Sequence, residues 1–313
     1  MSSQKTSASA RMIWIVVVAV VVAAASFATG FYVGSITQDD QTGFVVVDDY
    51  GRTVQLNTIP ERIVSVAPTP TEILFAIGAG SQVVGVDDYS DYPSEAASLP
   101  KVGAFPLNKE AVLALDPDLI VSSDLVPLAQ LEQLSDEGIP YVIFADRTIE
   151  GVFKTVKLAG IVTGHVEEAD QLVSDLEDRV EAVTNQTLAA GVDKPKVYVE
   201  YYPMWTYGPG SFGDDLIALA GGVNIAANAS SEYPEVTNEF VIAQNPDVIV
   251  YTTGPMSTTT AEAIASRTGW SSMTAVSEDA IYSVDDNLLS RYGPRIVEGL
   301  EALAEILHPE LFP

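Results

Sequence analysis

Cysteine is absent from the 313 residues. That absence removes disulfides, thiol nucleophiles, thiolate metal sites and a lipidated N-terminal cysteine together. Histidine is almost absent. His165 and His308 stand far apart, which leaves no histidine-rich zinc or manganese site and no ready base for a nucleophile. Basic residues are scarce, 15 against 43 acids, for a formal net charge of −28. Such a field repels nucleic acid and anionic lipid, so neither is an expected partner, and it suits a chain that stays soluble in salty surroundings. No hydrolase elbow, P-loop, HExxH or EF-hand spacing occurs. Gly208-Pro209-Gly210-Ser211-Phe212-Gly213 matches G-x-G-x-x-G literally, yet Tyr202 to Tyr207 separate it from the preceding strand, and Asp214-Asp215 open the following helix. A pyrophosphate would meet those charges, so the segment reads as a loop and a helix N-cap. No enzymatic activity, resident cofactor or metal site is expected.

The long hydrophobic run lies at the N-terminus. Lys5 and Arg11 precede an apolar stretch from Met12 to about Gly34, and Asp39 and Asp40 follow it. This length spans a bilayer as a helix, and the flanking charges place residues 1–11 in the cytoplasm and the main domain outside. Ala25-Ser26-Phe27-Ala28 also offers small residues for signal cleavage, so the segment is either an anchor or a removed signal. The working domain is extracytoplasmic in both cases. Asn185-Gln186-Thr187 and Asn228-Ala229-Ser230 are literal glycosylation sequons.

One phrase occurs twice. Asn108-Lys109-Glu110-Ala111-Val112-Leu113-Ala114-Leu115-Asp116-Pro117-Asp118 runs into Leu119-Ile120-Val121, and Asn238-Glu239-Phe240-Val241-Ile242-Ala243-Gln244-Asn245-Pro246-Asp247 runs into Val248-Ile249-Val250. Glu110 falls on Glu239 at a spacing of 129, as do Pro117 on Pro246 and Asp118 on Asp247. Each copy predicts a short helix, a Pro-Asp turn and a buried strand. Two similarly built α/β lobes follow. The repeated glutamate has two readings, a helix-opening acid that suits the dipole or a matched pair of docking charges.

Around these copies, strands and helices alternate, which predicts largely parallel sheets. Phe44 to Leu56 reads as a hairpin, Ile63–Val66, Val83–Val86 and Tyr141–Phe144 as strands, and Thr71–Ile77 and Val126–Glu137 as helices. The chain from Ile149 to about Ala190 reads as helical, broken once over Gly160 to Gly164. Its second part carries an apolar stripe at Leu172, Leu176, Val180 and Val183 and is long enough to cross between lobes. A second series follows, with the strand Lys196–Glu200, a helix over Asp214–Ala220, a helix near Ala261, the strand Ile281–Val284 and a final helix from about Pro294 to Leu307. The expected architecture is therefore an N-terminal transmembrane helix (12–34), an N-terminal α/β lobe (44–148), linking helices (149–190) and a C-terminal α/β lobe (191–313).

Aromatic residues collect in loops after strands: Tyr89 and Tyr92, Phe105, Trp205 and Tyr207, and Tyr292 beside Arg291. Open α/β sheets bind ligands beyond the carboxyl ends of their strands, and amphipathic rings there suit a large, partly apolar ligand.

Val84-Gly85-Val86-Asp87-Asp88-Tyr89-Ser90-Asp91-Tyr92-Pro93 and the first repeat copy resemble corresponding stretches of the vitamin B12-binding members of one family. That family is the helical-backbone (class III) substrate-binding proteins of ABC transporters, which serve vitamin B12, ferric siderophores and haem. The resemblance covers about Asp48 to Pro313. It implies two lobes joined by a long backbone helix, a ligand held between the lobes, and delivery to a permease dimer with its ATPase subunits by a monomeric receptor. It assigns a corrin contact to Tyr89. A second contact segment, ahead of Gly293-Pro294-Arg295, maps to Asn287, Leu288, Leu289, Ser290 and Arg291, without the acidic and aromatic residues usual there. It assigns permease docking to Glu110 and Glu239. The expected cargo is a corrinoid. The alternative is a ferric siderophore, which usually calls for several arginines where Arg291 alone is well placed, or haem. A metallocluster enzyme on the same scaffold is excluded by the missing cysteines.

Overall fold

The computed structural model describes residues 34–35, 43–189, 191, 193–254 and 259–312. The apolar segment expected as an anchor lies outside them save for Gly34. Among the described residues no helix is long and apolar enough to cross a membrane. The chain divides into two units, residues 1–145 with 158–165, and residues 146–157 with 166–313.

The first unit opens on a small antiparallel sheet of β1 (Gly34–Ser35), β2 (Phe44–Val47) and β3 (Thr53–Leu56). Its turn covers a sheet edge. Asp48 and Asp49 accept hydrogen bonds from Ile143 N (3.1 Å) and Ala145 N (2.8 Å), occupying donors that an edge strand would leave open. Four parallel strands follow in the order β5-β4-β6-β7, with β4 at Ile63–Ser65, β5 at Val83–Val86, β6 at Leu119–Ser123 and β7 at Tyr141–Phe144. Strands β4, β6 and β7 are buried along their whole length, as apolar runs without alternation predict. Helix α1 (Pro68–Ala76) begins three residues before the expected Thr71, because Pro68 supplies the preset φ that suits a first helical residue. Short helices α2 (Ser94–Ala97), α3 (Lys109–Ala114) and α4 (Leu128–Ser135) complete the unit.

Helix α5 (Ile149–Thr163) is shared between the units. It runs through Gly160, where a break was expected, and ends only at Gly164, whose φ of +77° stops the helix. Helix α6 (Val166–Ala189) belongs to the second unit and buries Ala169, Val173, Leu176 and Val183. It is tied to the last helix by a two-pronged pair, Arg179 Nε and Nη2 to the Glu301 carboxylate at 2.8 and 2.6 Å.

The second unit repeats the first. Strands β8 (Lys196–Glu200), β9 (Val223–Asn224), β10 (Val248–Thr253) and β11 (Ile281–Asp285) are parallel in the order β9-β8-β10-β11, the order of β5-β4-β6-β7. Its helices are α7 (Phe212–Leu219), α8 (Asn238–Gln244), α9 (Ala261–Ala265), α10 (Thr274–Ser277), α11 (Asp286–Ser290) and α12 (Ile296–Leu307). Tyr198, Val241, Ile249, Ile264, Trp270 and Met273 form one core. Within it Glu200 is fully enclosed but satisfied, receiving Arg267 at 2.6 and 2.7 Å and the Tyr198 hydroxyl at 2.9 Å.

The repeated phrase has a shared structural purpose. Asn108 caps α3 through Ala111 N and Thr237 caps α8 through Phe240 N. Asp116 and Asn245 both adopt φ of 47° after their helices. Asp118 accepts from Glu61 N and Arg62 N at 2.8 and 3.0 Å, and Asp247 accepts from Lys196 N at 2.8 Å. The Arg62 and Lys196 side chains then bond carbonyls at the helix ends, Leu115 O just past α3 and Gln244 O at the end of α8. Each copy thus locks a helix end to the foot of the neighbouring strand.

Candidate functional site

In each sheet the chain steps to one side of the first strand and then to the other, which opens a crevice at the strand carboxyl ends. At the opposite end of the first sheet a concavity of about 470 Å³ is lined by polar and small residues such as Asn57, Thr58, Ser135 and Gly138. The aromatic loops lie at the carboxyl ends.

In the first unit Tyr89 is 60% exposed and Phe105 56%, their ring centroids 6.4 Å apart and tilted by 33°. Tyr92 is exposed in the same loop. The loop beneath these rings is fixed. Asp87, buried, accepts from Tyr89 N (3.0 Å) and from the Ser90 hydroxyl. Ser90 meets Thr71 at 2.8 Å, and Thr71 donates to Ser65 at 2.7 Å. Lys101 closes the set by donating to the carbonyls of Asp87 (3.1 Å) and Ser90 (2.7 Å). Burial raises the Asp87 pKa above the usual carboxylate range, against the lowering effect of its Ser90 and Tyr89 bonds. Large apolar rings held in water by a rigid base mark a recognition surface.

The second unit builds a different wall. Tyr201 stacks on Tyr207 at 5.0 Å, and Tyr233 meets both rings edge-on at 6.2 and 6.3 Å. The Tyr233 and Tyr292 hydroxyls are 3.2 Å apart, and Tyr292 in turn meets Phe212 at 5.2 Å. Burial, and secondarily Tyr233, pushes Tyr201 up to about 12, and burial raises Tyr207 well above its ordinary value, so both phenols stay neutral. Tyr207 was expected as a ligand contact. It is buried, and its hydroxyl donates to Leu289 O at 3.1 Å, so it backs Tyr201 from within the core. Leu289, expected in the second contact segment, is buried too, because residues 286–290 form α11 and turn that side chain inward. Asn287, Leu288 and Arg291 are half-buried and Ser290 is exposed, its hydroxyl donating to Asp286 O at 2.8 Å. Trp205 is half-buried and bridges to Tyr202 and Glu235. Tyr201 and Tyr233 escaped sequence reasoning: one emerges directly from β8, and the other sits in a stretch without periodicity.

The glycine-rich segment is explained by packing. A Cβ on Gly208 would stand 2.1 Å from Ser231 O, and one on Gly213 2.1 Å from the Tyr207 ring. Ser211 caps α7 through Asp214 N. Among the described residues no group of three or more His, Asp and Glu is placed to hold a metal ion.

The sequence from residue 63 to 288 matches the model of the periplasmic binding protein family. The chain belongs to that family. Its members bind rather than transform their ligands. An uncharacterised ABC transporter substrate-binding lipoprotein of Bacillus subtilis is 33% identical over 86% of this chain and 87% of its own length. The cobalamin-binding protein of Halobacterium salinarum is 30% identical over 82% of this chain and 71% of its own. Among solved structures, the periplasmic haem-binding protein RhuT from Roseiflexus superposes with a TM-score of 0.72 at 29% identity, over 80% of this chain and 99% of that one.

Proposed function

We infer that this family member is the extracytoplasmic substrate-binding protein of an ABC importer and that its cargo is cobalamin or a related corrinoid. The observation that carries the cargo is the exposed Tyr89–Phe105 pair on its hydrogen-bonded base, two neighbouring rings that offer apolar surface to a macrocycle. The likeness to a cobalamin-binding relative over most of the chain supports it. Covering about 100 Å² of ring surface contributes about 2.5 kcal/mol at about 25 cal/mol per Å². Tyr89, Tyr92 and Phe105 are the contacts of the first unit. Trp205, Tyr201, Tyr233, Asn287, Leu288, Ser290 and Arg291 are those of the second. Glu110 and Glu239 meet basic residues of a permease dimer, the receptor acts as a monomer, and the apolar run 12–34 tethers it outside the membrane unless cleaved.

Haem is the second reading, favoured by the likeness to RhuT. An absorbance titration of the full-length chain with cyanocobalamin, dicyanocobinamide, haem and a ferric siderophore separates these. Saturable corrinoid binding at the lowest concentration is the expected result. Tighter binding of haem or the siderophore, with no corrinoid response, overturns the cargo.

A further inference from the structure

Tyr89 and Phe105 stand on separate loops, so their centroid distance of 6.4 Å has to be set by whatever joins those loops. Phe105 lies in a turn closed by the Gly103–Leu107 bridge, and Leu107 N donates to Gln130 Oε1 at 2.9 Å. The segment that leads to it runs parallel to the end of β5: Val86 N donates to Pro100 O and Val102 N to Val86 O, both at 3.0 Å. Lys101 lies between these two bonds, and its side chain crosses to the other loop. Its ammonium donates to Asp87 O at 3.1 Å and to Ser90 O at 2.7 Å, carbonyls that bracket Tyr89. In a chain with 15 basic residues against 43 acids, an exposed lysine whose hydrogen bonds both go to main-chain carbonyls calls for an explanation. Holding a long side chain in this way costs rotamer entropy, which two charge-assisted bonds offset.

We propose that Lys101 is a positioning residue for the cargo: it ties the Tyr89 loop to the Phe105 segment and so holds the two rings as one preorganised face, without touching the ligand itself. The assignment rests on the reading of that ring pair as the ligand wall of the first unit. Rings already fixed in place lose little freedom when a ligand arrives, so releasing them lowers affinity rather than stability. The rival role is charge balance. Burial raises the Asp87 pKa, and the Lys101 charge opposes that rise. A lysine serving only the buried acid contributes to stability and leaves affinity alone.

The test places Lys101→Met in the full-length wild-type chain and in Tyr89→Ala, and titrates all four proteins with cyanocobalamin, haem and a ferric siderophore. Thermal unfolding and amide hydrogen exchange of the ligand-free proteins are measured in parallel. In the wild-type background, exchange over residues 87–92 should quicken roughly tenfold while Tm is unchanged. Kd for whichever ligand the wild type prefers should rise roughly tenfold. In the Tyr89→Ala background the same substitution should raise Kd less than about twofold, because the ring it positions is gone. Unchanged exchange or an unchanged Kd overturns the assignment. An equal rise in Kd in both backgrounds also overturns it, by making Lys101 a direct contact, and a lowered Tm with unchanged Kd leaves charge balance as its role. If the wild type binds none of the three ligands, the cargo reading fails, and the exchange result alone decides whether Lys101 fixes the loop.

Discussion

Tyr89 and Tyr198 show how differently one residue type is used here. Tyr89 projects from a loop whose backbone is fixed by Asp87, Ser90 and Lys101, so removing its ring changes the surface and little else. Tyr89→Ala should raise the corrinoid Kd about tenfold, from about 0.5–1.5 kcal/mol of ring interaction plus lost buried area, and leave Tm within a degree or two. Titration beside a thermal melt reads both. Tyr198 is fully buried and donates to Glu200, so Tyr198→Phe should lower stability by about 1 kcal/mol and leave Kd unchanged. Gly213 makes a third case: a methyl group there meets the Tyr207 ring at 2.1 Å, so Gly213→Ala should destabilise by about 1–3 kcal/mol in urea titrations. Tyr89, Tyr92 and Phe105, expected in loops after strands, are exposed there. Tyr207, expected in the same kind of loop, is buried. The loop that carries it folds back under the wall, held by Thr206 N to Pro234 O and Gly208 N to Glu232 O, and such returns leave no period in a sequence.

The elements that sequence periodicity announced are those whose residues repeat a local pattern. Most of the parallel strands are apolar runs, and the two Pro-Asp phrases mark a duplicated helix–turn–strand unit. Strand β9 has two residues, Val223–Asn224, too few for a period, and its partner β8 is what defines it. The partners of the Pro-Asp motif were also hidden. Arg62 and Lys196 lie 48 to 56 residues from the aspartates and carbonyls they serve, at the start of β4 and β8. Asp118 stands at this joint in the first unit, accepting two backbone N–H groups. Asp118→Ala orphans both at a partly wet site, so the cost is about 1 kcal/mol, and Asp118→Asn, which keeps an acceptor, should recover about half of it. Chemical denaturation of the pair checks this, with corrinoid affinity equal for both.

Charge is the property of the whole molecule that most constrains its behaviour. With −28 on 313 residues, self-repulsion opposes the folded state. Raising salt from about 0.1 to 1 M cuts the screening length from about 10 to about 3 Å, so Tm should rise with NaCl. Acid should act the same way. Burial leads the upward shift of Asp87, Asp215 and Asp286, so each holds its proton more tightly folded than unfolded. The native state therefore binds more protons, and stability falls as pH rises from the ordinary carboxylate value through the raised ones. Melts taken across the acid range should show Tm declining as pH rises out of the ordinary carboxylate range. Against so many acids, Glu110 and Glu239 need a reason to be singled out. Asn108 and Thr237 cap their helices, both carboxylates are exposed, and among the described residues neither has a hydrogen-bond or ion-pair partner. Each is thus the member of its repeated phrase that the fold leaves unused, in an equivalent place in each unit. A permease dimer with two-fold symmetry presents two equivalent basic surfaces, and each exposed ion pair contributes only about 0–1 kcal/mol, so losing both weakens orientation more than affinity. The double variant Glu110→Gln, Glu239→Gln should keep its corrinoid Kd and Tm while uptake into vesicles carrying the importer falls about tenfold or more, the deficit growing with salt. Glu132→Gln with Glu305→Gln removes the same charge from other exposed positions and should transport normally. If both doubles slow uptake equally, net charge rather than docking governs delivery. If neither does, the two glutamates serve only the dipoles of their helices.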